Sequence, residues 1–302
     1  MRNISVVALL VVLLFGCGGG RSVQAPPAPL VPADKALAQG IESYREGCYD
    51  RSLELLLRAY ERYTAADERC GIAMALNNIG NVYRARKDLE RSLLYYDAAA
   101  DIFTEISDES GRLRTLVNRA SALIEGGRLA EAEQSLSAAR DGGEQDAFWL
   151  LARGNLLLQQ GVLESAATAL NQALKAAVKK QPDAVSGVHF ALGRVFLADG
   201  RPAEAVDHAQ AALAEDRSSG AYRKIADDLL LLGSALQEVG RTAEAGSAFR
   251  RAMSIYALLG DADAVAESAR RLKDAGVETV HPVTVQFVEQ WLKGDVRSHI
   301  CR

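Results

Sequence analysis

LNNIGNVYRARKDLERSLLYYDAA, residues 76–99, places apolar or small residues at three- and four-residue steps on both sides of Lys87. Such a period is that of an amphipathic helix, so this stretch predicts two helices joined by a turn at Lys87. Gly80 leads by seven residues to the turn at Lys87, by five more to Ser92, by four to Tyr96 and by three to Ala99. The offsets recur along the chain. Gly40, Ala120, Gly154, Gly193 and Gly233 stand where Gly80 stands, with successive spacings of 40, 40, 34, 39 and 40. Their turns fall at Gly47, Gly127, Gly161, Gly200 and Gly240. Ser52, Ala132, Ala166, Ala205 and Ala245 follow, then Leu56, Leu136, Leu170, Ala209 and Phe249, and then Ala59, Ala139, Ala173, Ala212 and Ala252.

The small residues let the paired helices approach closely, and a glycine at the turn supplies the left-handed conformation that ends the first helix. Each hairpin has more apolar surface than it can bury alone, so neighbours must stack. Ile79-Gly80-Asn81-Val82-Tyr83, Leu192-Gly193-Arg194-Val195-Phe196 and Ala245-x-x-x-Phe249-x-x-Ala252 resemble the signatures of the tetratricopeptide repeat. The period near 40 resembles a longer-helix variant of that family. Gln39, Ser43, Arg119 and Arg153 depart from the usual pattern, and the proline usual after the second helix is absent or displaced to Pro182. The resemblance implies an all-α, right-handed solenoid of about six hairpins plus a C-terminal capping helix. The expected organisation is a solenoid over 35–276, with repeats near 33–66, 73–106, 113–140, 147–180, 186–217 and 226–259 and a cap over 263–275. Residues 277–302 form a tail in which Pro282 can start a last helix, expected to dock in the protein's own groove or to bind a partner.

Composition agrees with this reading. Of 302 residues, 49% are hydrophobic and 6% aromatic, which excludes global disorder. Four of seven prolines (Pro26, Pro27, Pro29, Pro32) share one short stretch, which leaves the remainder open to long helices. A net charge of −4 argues against a dedicated nucleic-acid binder, which needs a basic stripe.

The first residues read as an address. A short positive start at Arg2 precedes the apolar run Ile4–Phe15, whose helix of about 18 Å would fall short of a bilayer core of roughly 30 Å. A signal-peptide core is therefore expected over 1–16 rather than a membrane span. Leu14-Phe15-Gly16-Cys17 resembles a bacterial lipobox, which implies lipidation of Cys17 and a Gly- and Pro-rich tether over 17–34. Gly18 after that cysteine implies, by the same resemblance, the outer membrane with the folded part facing the periplasm.

Chemistry is sparse. The four histidines have no metal-chelating spacing, and no phosphate loop, nucleophile elbow or Cys-x-x-Cys occurs, so no catalytic residue, metal or small-molecule cofactor is expected. Cys48 and Cys70 are separated by about 20 Å of helix, too far to bridge. Cys301 can pair with either or with another chain, and the plain expectation is three unpaired thiols.

Repeats of this kind bind, and their first helices line a concave face. In register that face offers Asn77, Asn78, Asn81, Arg84, Arg114, Asn118, Ser121, Phe148, Asn155, Gln159, Phe190 and Arg194 as a partner-binding groove. Asparagines both donate and accept, so a row of them can hold the backbone of an extended peptide; alternatively they are solvated or bond between neighbouring repeats. The carboxylate clamp of some family members is matched by Asn78 and Arg114 but not by Leu37, Ile41 and Asn118. Leu151, Phe148, Phe190 and Leu230 make the second half more apolar. The chain reads as a membrane-anchored scaffold for protein or peptide partners in the envelope. The resemblance offers a pilotin-like assembly factor or an adaptor for peptidoglycan enzymes; an envelope enzyme or a plain spacer is the competing class.

Overall fold

The computed structural model describes residues 30–140, 146–276, 281–294 and 301. The expected signal peptide, Cys17 and most of the tether lie outside them. Among the described residues the chain forms fourteen α-helices and no strand. They pair as hairpins: α1 (Val31–Arg45) with α2 (Tyr49–Ala65), α3 (Arg69–Ala85) with α4 (Leu89–Glu105), and α5 (Glu109–Glu125) with α6 (Leu129–Ala138). Then come α7 (Ala147–Gln159) with α8 (Leu163–Lys180), α9 (Val185–Ala198) with α10 (Pro202–Ser219), and α11 (Tyr222–Glu238) with α12 (Thr242–Leu258). α13 (Ala262–Asp274) follows on α12, and α14 (Pro282–Lys293) lies last. The one short spacing, 34, coincides with α6, which has 10 residues where α4 has 17.

All six turn positions are left-handed, and Lys87 adopts φ 61° where the other five use glycine. A lysine there accepts the strain of a Cβ in the left-handed region because the chain must reverse within three residues. The small residue of each first helix fits beneath a large one of the second. A Cβ at Gly80 would lie 2.6 Å from the Tyr96 ring, one at Gly154 2.5 Å from Leu170, and one at Gly233 2.5 Å from Phe249. Repeat 5 is the exception that explains the rule. Its second-helix residue is Ala209, and the space over Gly193 is filled by Leu231 of the next hairpin, 3.0 Å away. Two further close approaches, Gly71 under Tyr63 and Gly111 under Phe103, join successive repeats. Buried side chains from Leu150 to Val288 form one continuous cluster, so the last three hairpins and both terminal helices share a core.

Two features depart from expectation. The tail helix packs on α12, burying Val288, rather than in the concave groove. Cys48 is not a free thiol: it forms a disulfide with Cys301, linking the first interhelical turn to the C-terminal end. That turn also meets the last repeat directly. A Cβ on Gly47 would stand 3.1 Å from Cβ of Arg223 at the start of α11 and 3.3 Å from Leu259 after α12. The stack therefore winds far enough for its first hairpin to touch its sixth. No helix among the described residues is long and apolar enough to cross a membrane.

Candidate functional site

The first helices of the hairpins face inward, and because the ends meet they enclose a common space. A cavity of about 380 Å³ is lined from α1 by Tyr44, from α3 by Asn81 and Arg84, and from α5 by Asn118, Ser121 and Glu125. Phe148, Leu151, Asn155 and Gln159 of α7 continue it, followed by Phe190 and Arg194 of α9 and Lys224 of α11. A second cavity of about 420 Å³ adjoins it, walled by Leu197, Ala198, Leu230, Leu231, Ser234, Asp227 and Arg271. Phe190 and Arg194 border both cavities.

Nine of the twelve candidate groove residues line the first cavity: Asn81, Arg84, Asn118, Ser121, Phe148, Asn155, Gln159, Phe190 and Arg194. The other three do not. Asn77 is buried, and its Oδ1 accepts from Asn118 Nδ2 at 3.0 Å. Asn78 turns back to donate to the Met74 carbonyl at 2.8 Å, and Arg114 is exposed away from both cavities. Bonding between neighbouring repeats thus accounts for Asn77 and engages the amide nitrogen of Asn118.

What remains uncommitted is a row of alternating polarity. Asn81 accepts the Tyr96 hydroxyl through Oδ1 at 2.8 Å, which leaves its amide hydrogens for another partner. Asn118 donates through Nδ2, which leaves its Oδ1 to accept. Asn155 makes no side-chain hydrogen bond among the described residues, and Phe148 beside it is 40% exposed. One asparagine from each of three successive first helices suits a chain that alternates amide donors and carbonyl acceptors.

The charged lining is mostly internally paired. Arg84 Nε lies 3.9 Å from Glu125; burial alone would lower its pKa, but Glu125, Tyr96 and Tyr44 hold it above its ordinary value. Arg271 bonds Glu267 at 2.7 Å and also Ser234. Lys224 reaches 3.9 Å from Asp216. Arg223, behind the wall, pairs with Asp261 and, at 3.4 Å, with Asp227, which also accepts the Tyr256 hydroxyl at 2.6 Å.

Two clusters of titratable groups lie off the groove cavities. His189 and His208 hold their Nδ1 atoms 2.9 Å apart, with Phe196 stacked on His208. Burial lowers both pKa values, and His189 lowers that of His208 further. Deeper, Ser186 Oγ donates to Asp216 at 2.7 Å, and Asp228, 1% exposed, bonds the same carboxylate. Burial raises the Asp228 carboxyl to about 9, with Asp216 adding to the rise. Among the described residues no three His, Cys, Asp or Glu side chains gather as metal ligands.

Tyr44, Glu125 and Lys224 went unread in the sequence. Tyr44 and Lys224 line one cavity because the first and last hairpins meet, and no local period announces that closure. Glu125 has a local signal: it ends the helix that carries Ser121 one turn back and Asn118 two turns back.

Comparison with known proteins supports the repeat architecture. Residues 71–145 and 151–222 each match a family described as tetratricopeptide repeat. No curated protein sequence matches the chain. Among solved structures, the chain is similar to a Rap protein complexed with Competence and Sporulation Factor, at TM-score 0.59 and 15% identity, covering 87% of this chain and 77% of that one. It is similar also to the Rap conjugation gene regulator of plasmid pLS20 in complex with the Phr* peptide, at TM-score 0.60 and 16% identity, covering 90% and 77%. A signal-transduction ATPase with a tetratricopeptide repeat sensor from Pyrococcus horikoshii matches at TM-score 0.51 and 15% identity, over 86% of this chain and 44% of that one. At these identities the likeness is one of fold. The chain is an all-helical solenoid whose residues 71–145 and 151–222 are tetratricopeptide repeats.

Proposed function

We propose that this protein is a binding scaffold whose concave groove holds an extended peptide or polypeptide segment. The observation that carries the reading is the row Asn81, Asn118 and Asn155, one from each of three successive helices, facing one cavity with donor or acceptor capacity unspent. Backbone recognition of that kind gives affinity without demanding a sequence, and Phe148, Leu151 and Phe190 supply apolar contact for side chains. That one similar structure holds a Phr* peptide supports the same reading.

Asn155 is the cleanest probe, since its replacement breaks no internal bond. Asn155→Ala should weaken retention of the partner about tenfold, the loss of one to two hydrogen bonds, while leaving the urea midpoint unchanged. Asn81→Ala/Asn118→Ala should abolish retention, with a stability cost of about 2 kcal/mol because Tyr96 and Asn77 each lose a partner. Partner retention unaffected by all three substitutions would remove the groove from consideration.

The groove is proposed to work close to a membrane. Leu14-Phe15-Gly16-Cys17 supports lipid attachment at Cys17, and Gly18 supports the outer membrane as the destination. Metabolic labelling with radioactive palmitate should mark the wild type and not Cys17→Ser. Equal labelling of the two would exclude the anchor while leaving the groove untouched.

A further inference from the structure

We infer that the groove anchors its ligand through a carboxylate held by Arg194, with an apolar side chain beside it in the second cavity. The inference rests on the groove being a peptide site and assigns it an anchor point and a chemical class.

Arg194 and Phe190 are the two side chains common to both cavities, so whatever bridges them passes the guanidinium. Every other cation at the groove has a partner: Arg84 has Glu125, Arg271 has Glu267 and Ser234, and Lys224 has Asp216. Arg194 makes no ion pair and no hydrogen bond with any described residue, although it is half-buried. Burial pulls its pKa down, and Glu125 opposes that only in part. A guanidinium taken partly out of water without an acceptor is an unfavourable arrangement, and a ligand anion relieves it. The planar fork of donors suits a carboxylate, which it can hold through two parallel bonds.

The surroundings restrict the anion's neighbours. On one side lie Leu197, Leu230 and Leu231, a wall that takes an aliphatic or aromatic side chain. On the other, the asparagine row runs away through α7, α5 and α3. A peptide would then lie with its backbone along Asn155, Asn118 and Asn81, its carboxylate at Arg194, and its adjacent apolar side chain in the second cavity. The carboxylate is either the C-terminal one or that of an Asp or Glu side chain. This placement in repeat 5 differs from the clamp sought in repeats 1–3, which Leu37 and Ile41 leave incomplete.

The test uses three pools of random octapeptides passed over the immobilised full chain and quantified by mass spectrometry. The first has a free C-terminus and no Asp or Glu; the second is C-terminally amidated and contains Asp and Glu; the third is amidated and lacks both. At least one carboxylate pool should be retained tenfold or more above the third, and which one identifies the source of the anion. Arg194→Gln should bring all pools within twofold of one another, and Arg194→Lys should restore part of the difference. Asn155→Ala should weaken every retained pool by a similar factor, preserving the preference. Equal retention of the third pool by the wild type, or a preference that survives Arg194→Gln, overturns the carboxylate anchor while leaving the peptide groove standing. If the wild type retains no pool, the peptide groove fails and the anchor with it.

Discussion

Gly80→Val should lower the stability of the folded chain by about 3 kcal/mol, read as a fall in the urea midpoint. The reason is a contact rather than a propensity. Even a Cβ at Gly80 would stand 2.6 Å from the Tyr96 ring, and Tyr96 is fully buried, so neither helix can withdraw without opening the core. Helix propensity alone predicts the opposite sign, since glycine within a helix costs about 1 kcal/mol relative to alanine. Gly193→Ala separates the two effects. Its neighbour is the end of the Leu231 side chain at 3.0 Å, which can rotate, so gain and loss should cancel to within about 0.5 kcal/mol. The pairing also predicts rescue. Repeat 3 naturally combines Ala120 with Leu136, both buried, so Gly80→Ala should be better tolerated in a Tyr96→Leu background than in the wild type. Additive effects in that double-mutant cycle would mean that the small–large pairing does not set the helix approach.

Asp228→Asn should stabilise the protein at pH 7 and above. In the fold the Asp228 carboxyl is 1% exposed, one of its oxygens has no hydrogen-bond partner, and its pKa is raised to about 9. Burial is the main cause, followed by the neighbouring Asp216. Ser186 and Lys224 both face Asp216, which leaves Asp228 to carry the proton. Unfolding releases that proton into water, where an aspartate titrates near 4. Between about pH 4 and pH 9 the folded state therefore binds one more proton than the unfolded state, and stability falls as pH rises through that window. By pH 7 the accumulated loss is on the order of 4 kcal/mol. An asparagine keeps a donor for Asp216 and has no proton to lose. The midpoint difference between variant and wild type should therefore grow with pH, vanish near pH 4 and level off near pH 9. A difference independent of pH would show that Asp228 does not hold a proton in the fold.

The repeat was legible because it is written in offsets along one chain. Six turn positions could be marked before any geometry was known, and all six adopt positive φ, Lys87 included. Gly71 and Gly111 carry the same kind of signal, 40 residues apart and paired with Tyr63 and Phe103, likewise 40 apart. They belong to the contact between repeats, which a search within each hairpin does not cross. Closure was not legible. The meeting of Gly47 with Arg223 depends on small rotations accumulated over five hairpin interfaces, and none of these leaves a residue pattern. The Cys48–Cys301 disulfide and the presence of Tyr44 and Lys224 in one cavity follow from that closure, so they were equally hidden. The same holds for polarity in the groove. Residue type places Asn77 and Asn81 on one helix, but only the packed structure shows Asn77 spent on Asn118 and Asn81 still able to donate. The tail helix illustrates a further limit: its apolar positions were plain, yet both α12 and the concave groove offered them cover, and packing on α12 won.

The central claim is that a partner lies against the concave face, and site-specific photocrosslinking in the cell tests it most directly. A benzoylphenylalanine replacing Phe148, which is exposed in the groove, is compared with one replacing Leu94, which is 65% exposed on the second helix of repeat 2. The account predicts a discrete adduct from position 148 that disappears when Asn81→Ala/Asn118→Ala is added, and no such adduct from position 94. The same adduct from both positions, or one from position 148 that survives the loss of both asparagines, would contradict it.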